Sequence, residues 1–352
     1  MTLSSFKIGD RLVGPDHPPL VIAEMSGNHN QSLNRALEIV DAAAHAGAHA
    51  LKLQTYTADT ITLRERGGDF KIKDRGSLWA GQNLHELYSK AHTPWDWHQP
   101  IMDRAAEKGM LCFSSPFDET AVDFLNDLNV PAFKIASFEN NHLPLIRKAA
   151  GTGKPLIIST GMASLADLER AVNTARDVGC ENLVLLKCTS TYPATPENTN
   201  IRTIPHLRDL FGVQVGLSDH TMGVGAAVAS IALGATVVEK HFTLSRSDGG
   251  VDSAFSLEPS ELASLVTEID NAWQALGEVR YGPTDAEKKS LVFRRSIYVA
   301  EDIKPGELFS NNNLRIVRPG HGAPPWLLDQ LLGQVARRDY AAGTALSLNQ
   351  LL

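Results

Sequence analysis

Short apolar runs alternate with longer amphipathic segments along most of the chain, from about residue 20 to residue 275. Most of the short runs lack strict alternation of polar and apolar residues, which is typical of parallel strands covered on both faces. Segments between them, such as SLNRALEIVDAAAHAG, begin with Ser, have a helical apolar period and end with Gly, and so predict helices. The predicted strands are LVIAE (20–24), AHALKLQ (48–54), MLCFSS (110–115), AFKIAS (132–137), KPLIIST (154–160), NLVLLKC (182–188), VQVGLS (213–218) and ATVVEKH (235–241).

Eight strand-then-helix units within about 255 residues predict an α/β fold of the (β/α)8 or TIM-barrel type over residues 1–276. A doubly wound open sheet is the alternative, which the absence of GxGxxG after the first strand disfavours. The segment 55–95 is long for a connection between strands, and we expect it to form a lid or rim at a functional site.

The C-terminal part has a different pattern. Residues 277–291 are rich in charges and turn formers and predict a linker. Residues 292–352 contain the short apolar runs SIYVA and LRIV and the turns KPGE and RPGHG, which predict a small β-rich domain. A unit of about 60 residues is marginally stable alone, so we expect it to dock on the barrel or on a neighbouring subunit.

Composition narrows the function. The chain has 352 residues, of which 43% are hydrophobic and 21% charged, as in a globular protein with a sizeable core. The net charge of -7 gives no electrostatic reason to expect nucleic acid as a partner. No long apolar run predicts a membrane span, and the N-terminus lacks a signal-peptide pattern. Three cysteines without CxxC spacing predict reduced thiols and a cytoplasmic location.

Polar and charged residues gather at the predicted C-terminal ends of the strands, where barrel enzymes carry their active sites. Several lie two positions apart, which places both side chains on one face of a strand. These residues are Glu24, Lys52, Gln54, Ser114, Lys134, Ser137, Lys187, Ser218, His220, Glu239 and His241.

Two histidines end consecutive predicted strands, so His220 and His241 are expected to be neighbours. Paired imidazoles can hold a divalent metal with open positions for water and substrate. Two hydrogen-bonded polar histidines are an equally good interpretation. His29, in the loop SGNHN, is a weaker ligand candidate, and we favour a role in orienting that loop.

Three lysines at one rim, Lys52, Lys134 and Lys187, suit a small anion with carboxylate and phosphate groups. A Schiff-base lysine is the rival interpretation, and Lys187 is equally consistent with a structural role. Glu24 can accept a proton or hold a sugar hydroxyl, or only cap its loop. Glu139 and Asp252, in later loops, are weaker candidates for gripping polar substrate groups.

Many motifs in the right order resemble the sialic acid synthase family over nearly the whole chain. They are IAEMSGNHNQSL, ALKLQTYTADT, CFSSPFDE, FKIASFE, STGMAS, LKCTSTYP, GLSDHTMG and VVEKHFTL. The C-terminal KPGE and RPG turns resemble the antifreeze-protein-like (SAF) domain of that family. GSLWAGQNLHELYSKAHTPWDWH and VDSAFSLEP are most similar to the pseudaminic acid synthase branch. Asp252-Ser253 departs from the Asp-His step of N-acetylneuraminate synthases.

The resemblance implies Mn²⁺ or Mg²⁺ held by His220 and His241, and a domain-swapped homodimer in which Arg318 reaches the partner's barrel. The residues implied around phosphoenolpyruvate are Lys52, Ser114, Lys134, Ser137, Ser190 and Ser218. Those implied near an amino sugar are Glu24, Gln54, Glu139, Tyr192 and Asp252. Other family members have Asn near the position of Ser190, which makes that residue the least secure of the set.

The implied reaction joins phosphoenolpyruvate to the aldehyde of 2,4-diacetamido-2,4,6-trideoxy-altrose and releases phosphate, with Glu24, Lys52, Lys134, His220 and His241 as the catalytic set. One alternative is a relative that uses a manno-configured amino sugar and makes neuraminic or legionaminic acid. A carbohydrate-binding protein without catalysis and a Schiff-base aldolase are the alternatives from other classes.

Overall fold

The computed structural model describes residues 3–347, which form two compact units that divide between Gly277 and Glu278. The first unit begins with an antiparallel hairpin of β1 (Phe6–Ile8) and β2 (Arg11–Val13). Among the described residues, no helix is both long enough and apolar enough to cross a membrane.

Eight parallel strands then close into a barrel, in which β10 pairs with both β9 and β3. This confirms the predicted fold class. The strands are β3 (Leu20–Glu24), β4 (Ala50–Thr55), β5 (Leu111–Pro116), β6 (Phe133–Ile135), β7 (Leu156–Ser159), β8 (Leu183–Cys188), β9 (Gln214–Asp219) and β10 (Val237–His241).

Helices follow the strands and cover the outside of the barrel. They are α1 (Leu33–His45), α2 (Ala58–Ile61), α3 (Leu84–Ala91), α4 (His98–Glu107), α5 (Glu119–Asp127), α6 (Leu143–Ala150), α7 (Leu165–Arg176), α8 (Pro196–Thr199), α9 (Thr203–Phe211), α10 (Gly225–Ala232) and α11 (Pro259–Leu276). Capping residues define where some of these helices begin. Ser32 caps α1 by accepting a hydrogen bond from the Arg35 amide, and Ser164 forms a capping box with Asp167 at α7.

Side chains along each strand alternate between the barrel interior and the helical layer. On β4, Lys52 and Gln54 point inward, while Leu51 and Leu53 point outward and are buried beneath the helices. The outward positions form most of the hydrophobic core, and the inward positions near the C-terminal ends are free to carry polar groups.

The second unit has its own small core. It contains β11 (Ser296–Val299) and β12 (Leu314–Val317), which pair antiparallel, and the short helix α12 (Leu328–Leu331). Ile297, Phe309 and Leu346 are among the buried residues at its centre. A 3-10 helix, Glu287–Phe293, lies in the segment that leads into it.

Candidate active site

A cavity of about 450 Å³ opens at the C-terminal ends of the barrel strands. Its floor consists of charged and polar groups from the strand ends, and its roof is mainly apolar. The floor residues are Glu24, Lys52, Gln54, Lys134, Ser159, Cys188, Ser218, His220, Glu239 and His241. The roof includes Tyr56, Ile61, Ile72, Trp79, Leu84, Leu87 and Tyr88, all from the segment between β4 and β5.

Glu239 is the centre of the charged floor. Its Oε1 accepts a hydrogen bond from Lys134 Nζ at 3.0 Å and from Ser218 Oγ at 3.2 Å, and lies 3.8 Å from Lys52 Nζ. All three charged side chains are buried, with at most 6% of each side chain exposed. Since charges buried this deeply require partners, one carboxylate that contacts two ammonium groups keeps both of them in the barrel.

Glu24 forms the other end of this network. Its carboxylate is ion-paired with Lys52 and accepts a hydrogen bond from Gln54 Nε2 at 3.1 Å. Burial raises the pKa of Glu24 to about 7, although Lys52 opposes the shift. A carboxyl group with a pKa near neutrality exchanges protons readily at physiological pH, as a general acid or base must.

The two lysines differ in their surroundings. Burial disfavours the charge of Lys52, but Glu239 and Glu24 outweigh it and raise the pKa of Lys52. For Lys134, burial dominates and lowers the pKa below its ordinary value. The floor therefore has two adjacent cationic groups, matched by two carboxylates, at the place where an anion would enter.

The rings of His220 and His241 lie 5.2 Å apart between centroids. His220 Nδ1 donates to the Thr189 carbonyl at 2.9 Å, because a carbonyl only accepts, and no contact described within residues 3–347 gives its Nε2 a hydrogen-bond partner. His241 Nδ1 is buried without a hydrogen-bond partner. Burial, followed by the nearby His220 and lysines, lowers the pKa of His241 well below its ordinary value, so its imidazole is neutral.

A neutral imidazole with a free nitrogen beside a second free nitrogen suits a divalent cation. No third His, Cys, Asp or Glu joins these two in a metal-binding group within residues 3–347. The residues therefore fit a metal in part, with the remaining coordination positions left for water or substrate oxygens.

The serines predicted around an anion separate into two groups. Ser137 and Ser218 line the cavity, and Ser190 lies beside Ser137 next to Gly161. A Cβ on Gly161 would overlap the Ser190 hydroxyl and lie 2.6 Å from Ser137 Oγ, so glycine is needed for this close approach. The Gly161 amide donates to Ser137 Oγ at 3.1 Å.

Ser114 does not lie in the cavity, contrary to the prediction. It faces the helical layer, where its hydroxyl contacts Thr55 Oγ1 at 2.6 Å. The alternation of the strand instead points Ser115 inward, and Ser115 Oγ accepts from Lys52 Nζ at 3.2 Å. Lys187 also faces outward, with Nζ 2.7 Å from the Cys188 carbonyl, so the rim has two cavity lysines rather than three.

Of the residues predicted near a sugar, Glu24 and Gln54 belong to the floor, whereas Glu139, Tyr192 and Asp252 line the cavity above it. Tyr192 packs against His220 at 4.5 Å and against Trp79 at 5.8 Å between ring centroids. Burial raises the pKa of Glu139 to about 7, and its Oε2 has no hydrogen-bond partner. Asp252 accepts a hydrogen bond from Ser26, and burial raises its pKa.

Two other predicted residues, Arg318 and His29, are not among the residues that line the cavity. Arg318 belongs to the second unit, where it is exposed directly after β12. His29 is fully buried under its loop, with Nδ1 accepting from the Gln31 amide at 3.2 Å and Nε2 3.3 Å from Thr93 Oγ1. The ring of His29 thus orders the loop, as favoured from the sequence.

Sequence reasoning missed two cavity residues, Ser159 and Cys188, and also Ser115, whose hydroxyl faces Lys52 inside the barrel. Ser159 ends β7 with a buried, unpartnered hydroxyl, and Cys188 Sγ lies 3.9 Å from His220 Nδ1. Burial acts against the thiolate, but His220 outweighs it and lowers the pKa of Cys188 to about 7. Each occupies the inward position at a strand end, and that parity is the signal that finds them.

The fold and this site define a TIM-barrel enzyme whose cavity has a floor of buried charges. A profile of the NeuB family matches residues 39–281, and one of the SAF domain matches residues 294–352. The chain belongs to the NeuB family.

The most similar relatives include two pseudaminic acid synthases. One, from Campylobacter jejuni, is 44% identical over 94% of this chain and 96% of the relative. The other, from Helicobacter pylori, is 42% identical over 95% of this chain and 98% of the relative. The crystal structure of an N-acetylneuraminic acid synthetase from Leptospira borgpetersenii, in complex with citrate, is 30% identical, with a TM-score of 0.72 over 82% of this chain and 95% of that one.

Proposed function

We propose that the chain is a pseudaminic acid synthase, which condenses phosphoenolpyruvate with 2,4-diacetamido-2,4,6-trideoxy-β-L-altropyranose and water to give pseudaminic acid and phosphate. The observation that carries the proposal is the pair of buried ammonium groups, Lys52 and Lys134, beneath an apolar roof. The floor suits a small anion with carboxylate and phosphate groups. The roof suits a sugar that carries acetamido methyl groups and a methyl in place of a hydroxymethyl group.

In the proposed reaction, carbon 3 of phosphoenolpyruvate bonds to the aldehyde carbon of the open-chain sugar, and the aldehyde oxygen takes up a proton. Water adds to carbon 2, and the C–O bond to phosphate breaks, leaving a ketone that closes with a sugar hydroxyl. Lys52 and Lys134 hold the anion and neutralise its charge, while Ser137 and Ser190 donate to its oxygens. Ser218, whose hydroxyl donates to Glu239, borders the same site.

Glu24 is the proposed proton carrier, because both of its forms are populated near pH 7 and it contacts Lys52 directly. Gln54, Glu139, Tyr192 and Asp252 are proposed to bind the sugar. His220 and His241 would hold Mn²⁺ or Mg²⁺, which when bound supplies Lewis-acid polarisation of an oxygen.

The proposed location is the cytoplasm, where phosphoenolpyruvate is available, and the proposed assembly is a homodimer. In it, Arg318 of one protomer would reach the sugar site of its partner. The exposure of Arg318 after β12 supports this role. Arg318→Ala is expected to raise the sugar KM without changing that of phosphoenolpyruvate.

The test is a substrate panel with product mass spectrometry. Purified protein receives phosphoenolpyruvate, Mn²⁺ and one of three amino sugars: the altro-configured trideoxy sugar, its manno-configured counterpart, or N-acetylmannosamine. We expect phosphate release and a nonulosonic acid product with the altro sugar, and loss of both with a chelator. Faster turnover of a manno sugar would instead assign the chain to legionaminic or neuraminic acid synthesis, which is the runner-up because the neuraminate synthetase is less similar.

A Schiff-base mechanism and sugar binding without catalysis can each be tested separately. Borohydride trapping with pyruvate is expected to leave the protein mass unchanged, since Lys52 and Lys134 are both ion-paired with carboxylates. A stable adduct would indicate a Schiff-base aldolase. Saturable sugar binding without turnover, under all of these conditions, would indicate a binding protein.

A further inference from the structure

A second buried ion pair lies directly behind the two histidines, on the outer face of the barrel. Lys240 Nζ contacts Asp219 Oδ2 at 2.8 Å, with 1% and 0% of the two side chains exposed. The two residues are register partners on β10 and β9. The pair therefore links the ends of the last two barrel strands at the level of the cavity floor.

Apart from Thr221, whose hydroxyl donates to Asp219 Oδ2 at 3.1 Å, the neighbouring outward strand positions are apolar. Lys240 is also the register partner of Ala23, and the outward positions one step lower on the same strands are Leu217 and Val238, both fully buried. A buried ion pair in such a layer contributes little net stability, since desolvation of both charges offsets their attraction. Stability alone thus does not account for charges at this place.

Their position suggests another role. Because side chains alternate along a strand, Asp219 and Lys240 point outward while the residues that follow them, His220 and His241, face the cavity. The pair also holds Thr221: Asp219 Oδ1 accepts from the Thr221 amide at 2.9 Å, and Lys240 Nζ donates to the Thr221 carbonyl at 2.6 Å. The backbone is thereby fixed on both sides of His220.

The orientation of the His241 ring depends on this arrangement even more than that of His220 does. None of the described contacts gives its ring a hydrogen bond from Nδ1, and its neighbours are the rings of His220 and Phe255, at 5.2 and 4.9 Å between centroids. The direction of the imidazole is then set by aromatic packing and by the backbone of β10. Lys240 anchors that backbone to β9.

We propose that Asp219 and Lys240 are positioning residues that fix the separation and orientation of the two imidazoles. The part of this inference that concerns metal binding rests on the proposed function. Besides main-chain hydrogen bonds, the ends of β9 and β10 are joined by this ion pair on the outer face and by the hydrogen bond from Ser218 Oγ to Glu239 Oε1 on the inner face. With the charges linked across β9 and β10, the two ring nitrogens keep the spacing that a shared cation requires.

The test uses the double variant Asp219→Asn/Lys240→Met. It removes both charges together, so that no lone buried charge remains, and the Asn oxygen still accepts from the Thr221 amide. The full chain is labelled at the Cε1 atoms of its twelve histidines, and the signals of His220 and His241 are assigned with glutamine variants. His29 and His98, buried elsewhere in the barrel, serve as internal references.

We expect the His220 and His241 signals to shift and broaden in the double variant, while those of His29 and His98 stay in place. Mn²⁺ affinity, measured by electron paramagnetic resonance with the metal alone, is expected to fall by about ten-fold. A matched control, Asp123→Asn/Lys148→Met, removes a pair of similar length (2.8 Å) on the outer helices and should change neither readout.

Unchanged imidazole signals in the double variant would overturn the inference, as would wild-type Mn²⁺ affinity in that variant. If the wild-type protein itself binds no Mn²⁺, the metal role in the proposed function fails, and the imidazole signals alone decide the positioning role. Should that variant not fold, Asp219→Asn/Lys240→Gln, which leaves no lone charge and retains a donor for the Thr221 carbonyl, is measured in the same way.

Discussion

The floor and the roof of the barrel cavity are built in different ways. The floor takes side chains from strands spread over more than 200 residues, from Glu24 to His241, and joins them through shared ion pairs. The roof residues named above come from one continuous segment between β4 and β5. Their apolar side chains, such as Trp79 and Ile72, each line the cavity without shared ion pairs. A substitution in the floor therefore disturbs several charges, whereas a substitution in the roof alters only one part of the cavity wall.

This difference divides the expected effects of mutation. Floor variants should change turnover and folding stability together, because a carboxylate that balances a buried lysine, Glu24, is also the proposed proton carrier. Roof variants should change sugar binding and little else. Substitutions in the floor and in the roof can test this distinction, and the largest effect is expected in the floor.

Glu24→Gln should lower kcat by about 10² to 10⁴-fold, the usual range for loss of a proton carrier. The amide retains the hydrogen-bonding shape but cannot exchange the proton, so the phosphoenolpyruvate KM should change less. Steady-state phosphate release measures both. Turnover close to that of the wild type would exclude Glu24 from proton transfer.

Lys134→Met should destabilise the protein by about 3–5 kcal/mol, because Glu239 loses its partner at 3.0 Å. The double variant Lys134→Met/Glu239→Gln removes both charges and should recover most of that stability, measured by urea unfolding. It should not recover turnover. If it did, the lysine would have only a structural role in the floor.

Glu139→Gln should stabilise the protein increasingly as the pH rises. Burial raises the pKa of Glu139 to about 7 in the folded protein, against an ordinary value of 4.5 that applies in the unfolded chain, so folding favours the neutral form. That contribution is complete below pH 4.5 and is lost as the pH rises through 7. The variant should therefore gain up to about 3 kcal/mol over the wild type between pH 4 and pH 8.5, measured by denaturation at each pH. A constant difference would show that Glu139 is not held in its neutral form.

Trp79→Ala should raise the sugar KM by about ten-fold and leave the phosphoenolpyruvate KM nearly unchanged, since the loss of one apolar wall costs about 1–3 kcal/mol. The indole also donates to the Val251 carbonyl at 3.0 Å, so Trp79→Phe is the matched variant that keeps the ring but not this bond. An equal rise in both KM values would mean that the roof also shapes the anion site.

The sequence was most informative where periodicity alone decides the structure. Eight apolar runs predicted the closed barrel. The two-residue spacing also placed Lys52 with Gln54, and Glu239 with His241, on the same face of their strands, as the structure has them. It was least informative about adjacent residues: Ser114 and Ser115 have the same chemistry, and only the strand's phase in the barrel determines that Ser115 faces inward. Lys187 faces outward for the same reason. The roof contacts of Trp79 and Ile72 depend on the path of a long loop, which no local pattern encodes.

The alternation along β10 has a consequence for how this enzyme can change. Within five residues, the strand carries one set of side chains that faces the cavity and an interleaved set that faces the helices, and only odd or even position separates them. Deletion of a single residue early in β10 would exchange the two sets, bringing Lys240 into the cavity and burying Glu239 and His241 among the helices. Point substitutions can adjust this barrel gradually, but a change in strand length would exchange the two faces of β10 in one step.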